Sequence, residues 1–140
     1  MAKARKSVAK SDFVEKNLAA ALERLEVAAA AGRKAVTARS RDGKKFAATV
    51  KRLAKRRASL VRRKKLASRR ARKSPSGESR KALRSVVKEL ATTTKALAKA
   101  KGIRVANASE LAALKPAHRR ATGYSRAIAQ IDRALRRAKK

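Results

Sequence analysis

The sequence has no cysteine and no tryptophan, one histidine, one tyrosine, two phenylalanines and two prolines among its 140 residues. Without cysteine there are no disulfides and no thiolate metal sites, and the single imidazole, His118, does not build a metal centre by itself. Aromatic side chains that stack on unpaired bases are almost missing: only Phe13, Phe46 and Tyr124 are present. No apolar run approaches the roughly 18 residues needed to span a bilayer. The longest, Leu18 to Leu22 and Val27 to Ala31, are mostly alanine. No apolar segment follows the basic start, so a secretory signal is not expected, although the basic, acid-free stretch 1–10 has the composition of an organellar transit peptide. Acidic residues are few, nine against 42 Lys and Arg, and they are scattered. No nucleophile–His–acid order, glycine-rich phosphate loop or metal spacing appears, so the sequence predicts no enzyme, no cofactor and no metal.

What is present is positive charge and alanine. The formal net charge is +33, which repels itself in a compact chain and attracts a polyanion. Alanine occurs 33 times, whereas Leu, Ile, Val and Phe together number 26, below one fifth of the chain. That is too little for a thick core, but alanine is the strongest helix former, so helices with a thin core are expected. The charge is concentrated. Residues 33–73 carry 19 Lys and Arg against the single acid Asp42, whereas residues 1–32 carry four of the nine acids.

The pattern predicts an all-α fold: a small helical bundle with one long, highly basic helix and loose basic termini. Residues 1–10 read as a flexible basic arm. Ser11 caps a first helix over about 12–31, with Asp12 and Glu15 in its first turn and a stripe of Val14, Leu18, Ala21 or Leu22, Leu25 and Ala28; Gly32 stops it. Asp42-Gly43 marks a turn or a helix start, so 11–73 reads as a helical hairpin with a basic second helix from about 43 to 71. There Phe46, Val50, Leu53, Leu60 and Val61 share one side. Arg57 and Lys64 interrupt that seam, so the helix is expected to pack up to Val61 and to project or fray beyond it.

Ser74-Pro75-Ser76-Gly77 is the strongest breaker, with Ser74 as cap and Pro75 as first helical residue. The remainder, 74–140, reads as a helical C-terminal part of the same small domain. Its first helix carries Leu83, Val87, Leu90, Thr94 and Leu97 and stops at Gly102, with Ile103 closing the cap. Ile103-Arg104-Val105 is the one strand-like piece. Asn107 and Glu110 suggest the start of a short helix over about 108–115 that ends at Pro116, and a last helix over about 123–138 carries Tyr124, Ile128, Ile131 and Leu135.

The candidate nucleic-acid contacts follow from the unrelieved charge. Lys44, Lys45, Lys51, Arg52, Lys55 and Arg56 form its first half, and Arg62, Arg63, Arg69, Arg70, Arg72 and Lys73 its second. An ordinary solvated helix face mixes signs, because like charges four residues apart repel; phosphates would neutralise this one. Arg119 and Arg120, beside His118 and ahead of Thr122-Gly123, either help a helix start hold a phosphate or lie on an exposed linker. Phe13, Phe46 and Tyr124 read as core rather than as stacking platforms. Ser74 and Ser76 could accept phosphate, which would weaken local binding.

The alanine, lysine and arginine style, with steps such as Ala98-Lys99-Ala100-Lys101, resembles bacterial histone-like, nucleoid-associated proteins of the lysine-rich type. The resemblance implies sequence-nonspecific DNA binding, an architectural role and a cytoplasmic, nucleoid-associated location. Lys101-Gly102-Ile103, His118-Arg119-Arg120-Ala121 and Ala129-Gln130-Ile131 are also similar to the C-terminal part of the all-helical bundle proteins of the small ribosomal subunit, which implies rRNA binding as the alternative. DNA is thus the first partner expected, with RNA second. A membrane surface fits poorly without tryptophan on an apolar face, and helical seams leave room for a homodimer.

Overall fold

A computed structural model describes residues 10–138, and these form two α-helices: α1, Ser11–Lys73, and α2, Gly77–Ala138. The all-α class holds. The internal boundaries expected from Gly32, Asp42-Gly43, Gly102 and Pro116 do not: each lies inside a helix. The hairpin expected within 11–73 is therefore one continuous helix, the strand-like Ile103-Arg104-Val105 is helical, and the separate helices 108–115 and 123–138 are parts of α2. The basic arm falls outside the described residues except for Lys10, whose carbonyl accepts from the Phe13 and Val14 amides and so precedes the first turn. Ser11 is consequently the first helical residue rather than the cap.

The reason is a repeat longer than any single breaker. Half-buried and buried positions on α1 recur at alternating steps of three and four, with one position of the pattern, Arg57, exposed: Leu22, Leu25, Ala29 and Gly32, and later Phe46, Val50, Leu53 and, seven residues on, Leu60. On α2 they are Leu83, Val86, Leu90, Thr93 and Leu97, and later Leu111, Leu114, His118 and Ala121. This is the 3.5-residue spacing of paired helices. An interior glycine costs roughly 1 kcal/mol relative to alanine and a proline roughly 3. Those local penalties lose to the cooperative continuation of a helix whose next stripe residue has a partner waiting.

The helices contribute to two compact units, one formed by residues up to Thr37 with those from Ala112, the other by Ala38–Leu111. The second is a hairpin. In it Gly43 lies against Asn107, while Arg70 and Ser79 line one groove beside the turn, so the two arms run antiparallel. In the first, Leu22 shares a groove with Ile128 and Gly32 lies against His118, again antiparallel.

The break at 74–76 is where the sequence places it, but the cap is Ser76 rather than Ser74. The Ser79 amide donates to Ser76 Oγ at 3.1 Å and the Ser76 amide to Ser79 Oγ at 3.0 Å, a reciprocal cap in which Ser79 takes the role usual for Glu or Gln.

The core is thin, as alanine's abundance implied. Four apolar side chains are buried among the described residues, Val50, Leu60, Val86 and Leu97, and Leu60 is the most enclosed at 2% exposure. Several expected seam residues lie outside it. Val87 and Val61 are exposed, and so is Thr94, whose hydroxyl donates to the Leu90 carbonyl. Val86 and Thr93, one residue earlier, hold the seam instead. Val14, Leu18, Ile131 and Leu135 are exposed, as are Phe13 (62%) and Tyr124 (59%), so neither of these two aromatics is core. Past Arg57 and Lys64 the basic helix stays packed rather than projecting, because Ala67 and Val86 line a common groove.

The interior glycines divide into two kinds. A Cβ at Gly102 or Gly123 would meet nothing within 4 Å, whereas one at Gly32 would sit 3.0 Å from His118 Nδ1 and 3.3 Å from its Cβ. Gly102→Ala and Gly123→Ala are expected to raise unfolding stability by about 0.5–1 kcal/mol each through helix propensity. Gly32→Ala is expected to lower it, since the His118 Cβ cannot rotate away. Chemical denaturation of the three variants checks both signs.

Candidate nucleic-acid interface

Between Lys44 and Lys73, α1 carries 15 Lys or Arg and no acid. All 15 are exposed. With 1.5 Å of rise per residue the segment is about 45 Å long, so it offers about one positive charge per 3 Å. Duplex DNA offers one phosphate per about 1.7 Å of axis, counting both strands, so the two charge densities are of the same order.

The seam determines how these charges are distributed. Val50, Leu53 and Leu60 face the partner arm. Lys44, Lys51, Lys65 and Arg72 recur at multiples of seven on the outward side, as do Lys55, Arg62 and Arg69. Arg56, Arg63 and Arg70 form a further row along one flank of the seam. The other flank is uncharged, with Ala47, Ala54, Val61 and Ser68. The basic surface is thus one-sided: it wraps from the outward face onto a single flank.

Little within the protein neutralises it. Among the described residues, Lys45 alone of the fifteen pairs with an acid, Asp42, at 3.9 Å. The other ion pairs are Arg39 with Glu110 and Arg136 with Asp132 at 3.0 Å, both outside this segment.

Of the residues singled out from the sequence, the twelve between Lys44 and Lys73 all lie on this surface of α1 in one unit. Arg119 and Arg120 are exposed but belong to α2 in the other unit. Neither reading offered for them survives, because α2 runs uninterrupted through this stretch: no helix begins at 123, and His118 is no linker residue. It is half-buried against Gly32, with Nδ1 3.4 Å from Thr122 Oγ1. Three basic residues of the same surface were missed. Lys65 was legible from the seven-residue row that includes Lys51 and Arg72. Arg57 and Lys64 occupy seam positions and were read only as interruptions, yet both reach solvent.

Among the described residues no group of three or more His, Asp or Glu side chains is placed to hold a metal, and no helix is long and apolar enough to cross a membrane. No family model, curated protein or solved structure matches the chain.

Proposed function

We propose that the chain binds nucleic acid, DNA foremost, without sequence preference, through phosphate contacts along the basic surface of α1, and that it serves as an architectural, nucleoid-associated protein. The observation that carries the reading is the run of 15 exposed Lys and Arg of which one has an acidic partner. Self-repulsion on that scale makes the free fold pay for charge that a phosphate backbone neutralises, with release of condensed counterions. The surface is helical, without the aromatic-bearing strands that read single-stranded bases. Phe13 and Tyr124, although exposed, lie in the other unit from the basic run. Contacts to backbone rather than to base edges follow, and these position a protein without specifying sequence.

Band shifts with unrelated duplexes of equal length test this. All duplexes are expected to bind within a factor of a few of one another, with affinity falling steeply as salt rises. Strong preference for one duplex sequence would defeat the nonspecific reading. Complete displacement by a structured RNA that duplex DNA cannot reverse would transfer the surface to an RNA partner, the rRNA reading.

A further inference from the structure

We infer that Asn107, with Gly43 opposite it, is a register lock that holds α1 and α2 in one of several alignments that the apolar seam alone would accept. Asn107 is 5% exposed, and the other buried residues of the seam are Val50, Leu60, Val86, Thr93 and Leu97, none of which carries an amide or a charge. Its Nδ2 donates to the carbonyl of Arg39 at 3.0 Å, and its Oδ1 accepts from Arg39 Nη1 at 3.5 Å. Arg39 is in turn paired with Glu110, one turn along α2 from Asn107. A Cβ at position 43 would stand 3.3 Å from Asn107 Nδ2. A methyl there would press the amide back by a few tenths of an ångström, so glycine gives it room to reach the α1 backbone.

The seam does not choose this register by itself. Carrying the Gly43–Asn107 alignment along the repeat sets Leu53 opposite Leu97, Leu60 opposite Leu90 and Ala67 opposite Leu83. A slip of one heptad sets Phe46 opposite Leu97, Leu53 opposite Leu90 and Leu60 opposite Leu83, an equally apolar match. What the slip loses is the lock. Asn107 then faces Val36, or Val50 for a slip the other way, and a β-branched side chain closes the approach to the backbone and strands the amide. A single buried Asn is known to select register in helical pairs by this physics. The other unit has a device of the same shape, the His118 ring against Gly32, with 11 residues separating the two glycines and 11 separating Asn107 from His118. The turn at 74–76 also opposes a slip, but only by the need to re-form a cap a few residues away.

The absence of cysteine makes the test direct. The reporter pair Arg57→Cys with Thr93→Cys lies across the seam in the observed register. The pair Val50→Cys with Thr93→Cys lies across it only after a one-heptad slip, since seven residues displace the Cα atoms by about 10 Å, beyond disulfide reach. In the otherwise unchanged full-length chain, oxidation is expected to close the first pair and not the second. In a background of Gly43→Ala, Asn107→Leu, Gly32→Ala and His118→Leu, with the turn intact, the second pair is expected to close in yields comparable to the first. Exclusive closure of the first pair in that background overturns the inference and assigns the register to the turn. Should the fourfold background lose its helical circular dichroism, Asn107→Ala with His118→Ala carries the same reporters, and closure of the first pair alone again overturns it.

Discussion

Replacing Arg52, Arg56, Arg63 and Arg70 with glutamine is expected to flatten the dependence of log affinity on log salt by about 3.6 units if all four meet phosphates of duplex DNA, at roughly 0.9 per contact. Between 50 and 200 mM salt this means that the variant loses roughly 150-fold less affinity than the parent protein, having begun from a weaker level. Arg56, Arg63 and Arg70 are spaced by sevens and lie along one flank of the seam, and Arg52 is one turn from Arg56 on the same helix. None has an acidic partner among the described residues, so substitution breaks no ion pair. Glutamine keeps the helix propensity and most of the aliphatic stem, so circular dichroism is expected to be unchanged or slightly improved by relief of i,i+4 repulsion. The loss should be uniform across sequences. An unchanged slope would show that nucleic acid, if bound, meets another surface.

The legible part of this protein is the part set by composition. Helix, a thin core and the uncompensated run from Lys44 to Lys73 all follow from alanine and charge, and each is present. The break at 74–76 was also legible, because Pro75 and the adjoining Gly77 coincide with the end of an apolar stripe. Gly32, Gly43, Gly102 and Pro116 look like the same signal but differ physically: the stripe continues through each, and pairing across the seam overrides the local penalty. Reading them as helix boundaries fragmented two helices into five. It also shifted the stripe on α2, since starting from Leu83 in steps of four and three selects Val87 and Thr94, while the observed steps of three and four select Val86 and Thr93. The role of Gly43 was invisible without its partner. Its use depends on Asn107, 64 residues away, and no local pattern links the two. In the same way Arg57 and Lys64 break an apolar stripe on paper, but long side chains at seam positions can lay their stems along it and leave their charges in water.

Leu60→Ala is expected to destabilise the free protein by about 2–5 kcal/mol, the range for truncating an enclosed leucine. Leu60 is the most buried apolar side chain among the described residues, and the core around it has few other members to absorb the cavity. Leu53, only half-buried, should cost less on truncation. Natural domains have about 5–15 kcal/mol in hand, so the Leu60 variant should show a lowered melting temperature and a partly lost helical signal. The position also connects stability with binding. Leu60 lies on the seam side of α1, beneath exposed Arg56 and Arg63, and its truncation removes no charge. A polyanion that binds only the paired helices would restore the fold by mass action, by about 2.7 kcal/mol at a free concentration 100 times its dissociation constant. Excess duplex DNA at low salt is therefore expected to return most of the variant's helical signal, and added salt to abolish the rescue. If the signal returned equally with a neutral crowding polymer, or failed to return with duplex, the basic surface would not be coupled to the pairing of α1 with α2.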